Sequence, residues 1–475
     1  MLFIVRNLLA LLCLIALASS LGSCSIPPPL VERIKASGEI KVATRNSGTT
    51  LYQDSEGLTG FEYELVQLFA QELGIKAHFI IPNHFDDLLP SVINGDAHLA
   101  AAGLTVTPER EAQIRFGPSY QEITQQVIYR AGKKRPRKVE DLIGKNLHVL
   151  AGSSHEEELL RLKKIHPELK WISHSDLESA ELMQMVQDKK IDFTIADSNE
   201  FAVTRRFMHY LKIGFDLTEP QPLAWAMAHA EDDSLFQAME AFFDRIREDG
   251  TLAQLIERHY GHIGRLNFVE LRTFLKHMKN RLPKYRAYFE EAAKETGIDW
   301  RMLAAIGYQE SHWNPKAKSP TGVRGIMMLT LTTAKQMKIK SRLDPKQSII
   351  GGAKYLRYIE NMLPERIKEP DRLWLTLAGY NVGFGHLEDA RILTEHLKDD
   401  PDKWADVKKH LPKLSLKKWY TSLKRGYARG KEPVKYVDNI RAYYELLNWQ
   451  LRQMELANQE EPIPPHALSI NPEAL

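Results

Sequence analysis

The 475 residues exceed one ordinary core, and about 100 to 200 residues per domain sets an expectation of two to four units. An apolar fraction of 43% beside 26% charged residues excludes disorder or a fibre for most of the length. The 64 basic and 61 acidic residues leave a net charge of +3, too close to neutral for global electrostatics to name a partner.

In chain order, Arg6 precedes an apolar run from Leu8 to Ala18, too short for a permanent membrane helix but suited to an export signal. Leu21, Gly22, Ser23 and Cys24 follow, and they resemble the lipobox at which bacterial lipoproteins are cleaved and acylated. The resemblance implies a signal peptide over 1–23 and a lipid on Cys24. With Ser25 next to it, it also implies sorting to the periplasmic side of the outer membrane. The residues themselves leave open a cut near Ala18 to Ser20, with Cys24 an incidental thiol. Cys13 and Cys24 are the only cysteines, so the mature chain has no internal disulfide and depends on packed cores. Pro27, Pro28 and Pro29 favour an extended tether, placed at 24–37.

From 38 to 266 short apolar runs alternate with helical patterns, the signature of parallel βαβ units in an α/β domain long enough for two lobes. Phe61, Leu65, Leu68, Phe69 and Leu73 share a helical face ahead of Gly74; Ile75, Ala77, Phe79 and Ile81 then alternate as a strand. Ile191, Phe193 and Ile195 alternate likewise, and Leu147 to Leu150 and Leu223 to Ala228 read as further strands. Asp249 and Gly250 turn the chain into a last helix. Beyond it, over 267–450, Phe268, Leu271, Leu275, Met278 and Leu282 recur at three- and four-residue spacing, which predicts a mostly α second domain. Residues 451–475, with four prolines after Glu460, read as a solvated tail.

Asp299 is a fitting N-cap for a helix through Trp300, Leu303, Ile306 and Glu310, closed by Asn314 and Pro315. Glu310 lies four residues after Ile306 and seven after Leu303, on the apolar face. Burial and the negative end of the helix dipole both raise the pKa of a carboxyl placed there, so it is suited to protonating a glycosidic oxygen near neutral pH. Spacing alone favours the plainer alternative, a glutamate turned to solvent.

Glu310 and Ser311, then Gly325 to Met328, then Gly379, Tyr380 and Asn381, then Tyr436 and Val437 resemble in order and spacing the motifs of the family 1 lytic transglycosylases. The run from Tyr308 to Leu329, with Arg429 and Gly430 ahead of Tyr436, is similar to their membrane-bound group F, over the whole mature chain. The resemblance implies a fold like goose-type lysozyme and a peptidoglycan substrate. It implies Glu310 as the sole catalytic carboxylate, acid then base, with the muramic acid C6 hydroxyl attacking its own anomeric carbon to leave a 1,6-anhydro end. An internal nucleophile has a high effective molarity and needs no second carboxylate to activate water. Ser311 and Tyr436 are then expected to support Glu310, and Gly325, Met327, Tyr380 and Asn381 to bind sugar. Capping for Ser311 and core packing for the tyrosines remain open on sequence. Two positions depart from the pattern: Met328 stands where many relatives have glutamine, and Gly379 where alanine is commoner. No metal or cofactor is implied.

Between Lys408 and Lys435 ten basic residues face one acid, Glu432, interleaved with Trp419, Tyr420 and Tyr427. Export argues against nucleic acid as the partner, and points to anionic envelope polymers or stem-peptide carboxylates; a solvated face with no partner reads equally well. In the first domain, Gly60 and Phe61, Gly95 and Asp96, and Thr105 to Arg110 resemble the family 3 periplasmic solute-binding proteins. That resemblance implies an amino-acid-like or muropeptide effector, its carboxylate held by Arg110 and Thr105 and its ammonium by Asp197. A structural ion pair at Arg110 is the alternative. Three readings follow: a murein lyase regulated by its first domain, a non-catalytic receptor, or a true hydrolase.

Overall fold

The computed structural model describes residues 27–53, 57–208, 210–262, 268–319 and 322–458. Cys24 and the signal lie outside them.

The first unit has two lobes, each built on a five-stranded mixed sheet. One sheet runs in the order Lys76–Ile80, Glu39–Ala43, Leu99–Ala100, Gln221–Met227, Arg115–Ile123; the other runs Leu211–Asp216, Gln125–Arg130, Phe193–Asp197, Leu147–Leu150, Ile172–His174. The sheets are not wholly parallel, as the alternating pattern suggested. The chain leaves the first lobe through Arg115–Ile123 into Gln125–Arg130 and returns through Leu211–Asp216 into Gln221–Met227, and each of these crossing strands pairs antiparallel with a neighbour. Alternation of strand and helix cannot reveal such a reversal. Phe193–Asp197 is buried along its whole length, as a central strand must be, and not on alternate residues.

Two expected boundaries move. The tether is shorter than 24–37, because Leu30–Ser37 is a helix docked on the first lobe: the Leu30 amide donates to Asp232, the Val31 amide donates to the Ser234 hydroxyl, and Ile34 is buried. The last helix, Lys431–Asn458, continues beyond Gln450, where the apolar pattern fades. No helix among the described residues is long and apolar enough to cross a membrane.

The second unit is helical around one core. At its centre is Trp300–Ser311, started by Asp299, whose carboxylate accepts from the Arg301 amide at 2.9 Å. Met302 to Tyr308 are buried all round, so this helix is enclosed rather than amphipathic. Its small residues permit that: a Cβ on Gly307 would stand 3.0 Å from Phe289. The helix ends at His312 and Trp313, both at positive φ, two residues earlier than the Asn314 and Pro315 stop. The Trp313 indole N–H closes the end by donating to the Ala304 carbonyl at 2.8 Å.

The units meet along the last helix. Glu445 takes an ion pair from Arg206 of the second lobe and lies against the buried His262 beyond the first, while Glu257 of the first lobe accepts from Lys408 at 2.9 Å and Arg441 at 3.0 Å. Phe207 stacks on Trp449 with ring centres 4.9 Å apart.

Candidate active site

Glu310 sits in the last turn of the enclosed helix, where full burial gives way to a partly exposed face, the candidate sugar cleft, that also holds Tyr380 and Asn381. Part of the side chain reaches solvent, but protein surrounds the carboxyl on its other sides. Desolvation pushes its pKa up to about 7, against a smaller opposite effect from Tyr436. The Tyr436 hydroxyl, from the first turns of the last helix, donates to Glu310 Oε1 at 2.6 Å. Among the described residues no protein group bonds the other carboxyl oxygen. The arrangement thus holds one oxygen and leaves Oε2 able to carry a proton toward the cleft.

Tyr380 stands beside this pair, its ring 6.5 Å from that of Tyr436 and nearly parallel to it. Its hydroxyl donates to the Met327 carbonyl at 3.0 Å. Both tyrosines are pushed well above their ordinary range, first by burial and then by the Glu310 charge, so they stay neutral donors. Asn381, at the end of the same helix as Tyr380, is exposed with its amide toward no protein partner among the described residues. Gly325 is required by close approach: at φ 88°, a Cβ there would lie 1.9 Å from the Arg342 carbonyl oxygen.

Two expected roles change. The Ser311 hydroxyl does not touch Glu310. It donates to the Ile326 carbonyl at 2.8 Å and the Gly307 carbonyl at 3.1 Å, so it ties the helix end to the glycine turn and positions the glutamate only through the backbone. The Met327 side chain is fully buried against Gly352 and lines no sugar site; its contribution is the carbonyl that Tyr380 holds. Met328, at φ 46° and half-exposed, is the methionine of that turn nearer to solvent. Tyr355, whose ring lies 5.4 Å from Tyr380, escaped sequence reasoning, although its i, i+3 pairing with Tyr358 was a signal of an aromatic helix face.

In the first unit, the groups expected to hold an effector are engaged with protein. Arg110, fully buried, donates to Glu157 Oε1 at 2.7 Å and to the carbonyls of Thr105 and Gly152. The Thr105 hydroxyl accepts from Ser154 at 3.2 Å, and Asp197 pairs with His155 at 2.9 Å. Arg45 joins the lobes through Glu178 and Glu200. Beside these pairs lies a cavity of about 580 Å³ between the lobes, lined among others by Ser47, Thr49, Phe85, Glu178 and Met183.

Comparison with known proteins agrees with both halves. Residues 40–262 match the family model for bacterial extracellular solute-binding proteins, family 3, and residues 287–402 match the transglycosylase SLT domain. Holo ArgBP from T. maritima is 21% identical, with a TM-score of 0.43, and the match covers 48% of this chain and 98% of that one. The membrane-bound lytic murein transglycosylase F of Stutzerimonas stutzeri is 49% identical over 94% of this chain and 92% of its own. The protein of that name from Ectopseudomonas mendocina is 50% identical over 89% of this chain and 87% of its own. With a solute-binding unit ahead of an SLT unit, and half its residues shared with such relatives along nearly all its length, the chain belongs to the membrane-bound lytic murein transglycosylase F family.

Proposed function

We propose that Glu310 cleaves the β-1,4 bond between the two alternating sugars of peptidoglycan without water, acting first as acid and then as base. The observation that carries this reading is a desolvated carboxyl raised to about 7, held at Oε1 by Tyr436 and open at Oε2. A protonated Oε2 gives its proton to the leaving oxygen; the resulting carboxylate, steadied by the Tyr436 hydroxyl, then takes the proton from the muramic C6 hydroxyl as that oxygen closes a 1,6-anhydro ring. Glu310 is the carboxylate whose charge acts on both Tyr380 and Tyr436. An internal nucleophile of high effective molarity would need no second acid to activate water. The test is mass analysis of purified sacculi after digestion by the protein lacking residues 1–24. Anhydromuramoyl ends support the lyase, reducing ends replace it with a hydrolase, and no released product replaces it with a receptor.

The first unit serves in this reading as an effector receptor, and the last helix, bonded to both lobes and to Glu310, is the element through which closure would reach the cleft. A ligand carboxylate must displace Glu157 from Arg110, and a ligand ammonium must displace His155 from Asp197. Melting with amino acids and stem peptides tests this, since a ligand at a hundred times its Kd stabilises by about 2.7 kcal/mol. No shift in the parent, or an identical shift in Arg110→Ala, makes the unit a scaffold. We further propose a lipid on Cys24 and the periplasmic face of the outer membrane as the location. Unchanged fractionation and processing of Cys24→Ala would refute the anchor.

A further inference from the structure

The basic stretch ahead of the last helix is not absorbed by the catalytic arrangement. It lies beyond the matched SLT residues, which end at 402. The chain leaves the core at Leu414 and returns at Ala428, whose amide donates to the Leu414 carbonyl at 3.1 Å. Gly430 fixes the base of this excursion, because a Cβ there would stand 1.6 Å from the Leu411 carbonyl oxygen. The loop is therefore a built projection. Trp419 and Leu423 anchor it on the core, and Lys418 lies over the Trp419 ring at 4.9 Å.

What it presents is cationic and unpaired. Lys417, Lys418, Lys424, Lys431 and Lys435 are exposed, and among the described residues none has a carboxylate in ion-pair reach; the one acid of the stretch, Glu432, is taken by Arg429. Tyr427 is 56% exposed and Leu416 53%, so apolar surface is interleaved with the charge. Isolated surface lysines normally mean little, but this stretch is joined to the catalytic residues at two points. Lys431 and Lys435 open the helix that carries Tyr436. Arg425 lies over Gly385, in the first turn of the helix that follows Tyr380 and Asn381, where a Cβ would stand 2.7 Å from its Nε, and the Arg425 amide donates to buried Asp389 at 2.8 Å.

We infer that this loop is a specificity element that grips the free carboxylates of the stem peptides hanging from the glycan strand while the sugar lies over Glu310. The inference rests on the peptidoglycan reading above. In the intact polymer the lactyl carboxyl of each muramic residue is tied up in its amide bond to the stem peptide, so the sugars are neutral and the unpaired cations of this loop find their counter-charge on the peptides. The peptides supply negative charge at regular spacing along the strand, and attraction of this kind weakens with salt because the screening length is about 8 Å at physiological ionic strength.

The test uses fluorescein-labelled glycan strands in two forms, with stem peptides intact and with peptides removed by an amidase and the lactyl carboxyls so freed capped as methylamides. Binding is followed by anisotropy, with Glu310→Gln in every protein to prevent cutting. Three proteins are compared: one with no further change, one with Lys417, Lys418, Lys424 and Lys431 all replaced by Ala, and one with all four replaced by Arg. The expected result is a preference of about tenfold for peptide-bearing strands in the first, lost with Ala, kept with Arg, and erased by high salt. No preference in the first protein, or a preference surviving the Ala changes, overturns the inference. So does loss with Ala of binding to phosphatidylethanolamine–phosphatidylglycerol vesicles while strand preference persists, which would make the loop a membrane contact. Cutting of the peptide-bearing strands by proteins that retain Glu310 judges the catalytic reading separately: failure to cut them defeats that reading and leaves the binding preference to be decided on its own.

Discussion

Two half-buried carboxyls of the helical unit, Glu310 in the cleft and Glu445 at the junction with the first unit, start from the same chemistry and end far apart. Burial raises both. At Glu310 the only opposing effect is one tyrosine hydroxyl, and the group rests at about 7. At Glu445 burial is overcome by Arg206 and His262, with Arg441 nearby, and the group falls to about 2. A buried carboxyl without a cation is an acid in waiting, whereas one with cations is a permanent anion and a fastener. The first unit also fastens its elements with ion pairs, Arg110 on Glu157 and Arg45 on Glu178 and Glu200, but at Glu178 burial outweighs the cation and raises the carboxyl.

The largest effect that can break the contrast is at Glu310. Glu310→Gln should keep the fold and lose at least about a hundredfold in turnover, because general acid catalysis contributes about 100- to 10,000-fold; near-normal release of product would remove Glu310 from the mechanism. The same variant should be more stable than the parent at alkaline pH. A folded pKa near 7 against 4.5 unfolded means that ionisation is resisted only in the folded state, so stability is full below the unfolded value and falls as pH rises toward 7. Allowing for solvent in the cleft, the gain is on the order of 1–2 kcal/mol at pH 8 and about zero at pH 4, readable as a difference in Tm.

Tyr436→Phe sharpens the contrast by taking away the single opposing effect. Its hydroxyl favours the ionised form, so the Glu310 pKa should rise and the alkaline limb of the rate profile should move to higher pH. Turnover should drop about tenfold as the base form loses its hydrogen bond. An unshifted limb would mean that the 2.6 Å bond does not govern the titration.

Glu445→Gln tests the fastener. It leaves Arg206 without its anion and should cost about 1–2 kcal/mol, seen in urea unfolding. Unchanged unfolding would reduce the junction to surface contact. Ser311→Ala is the smallest: two hydrogen bonds from one hydroxyl are lost, so about 1 kcal/mol of stability goes while turnover stays within about threefold. A loss as large as that of Glu310→Gln would mean that the hydroxyl acts on substrate.

How far the sequence led differs between these two regions for a physical reason. Helical periodicity put Glu310 on an apolar face but by itself favoured a glutamate turned to solvent, and only the resembling motifs around it pointed to a buried acid; burial is the larger of the two effects on its titration. Its partner Tyr436 lies 126 residues away and could be joined to it only through a resembling motif, not through any local rule. Arg110 and Asp197 were legible as charged residues at strand and helix ends, but the partners that occupy them were not. Glu157 sits in an acidic first turn that reads as solvated, and His155 gives no local sign of burial. Met327 illustrates the reverse case: a turn residue expected at the sugar site goes to the core, because Gly352 on a distant helix leaves it room.

The last helix carries Tyr436 at one point and Glu445 nine positions on, one bonded to the cleft and the other to the first unit. A single residue inserted between them would turn everything downstream by about 100° and shift it by about 1.5 Å, so that either the tyrosine or the fastener would miss its mark. The segment 437–444 should therefore tolerate exchanges of side chain far better than changes of length. Among related chains it is expected to be a stretch without gaps, even where loops on either side of it vary.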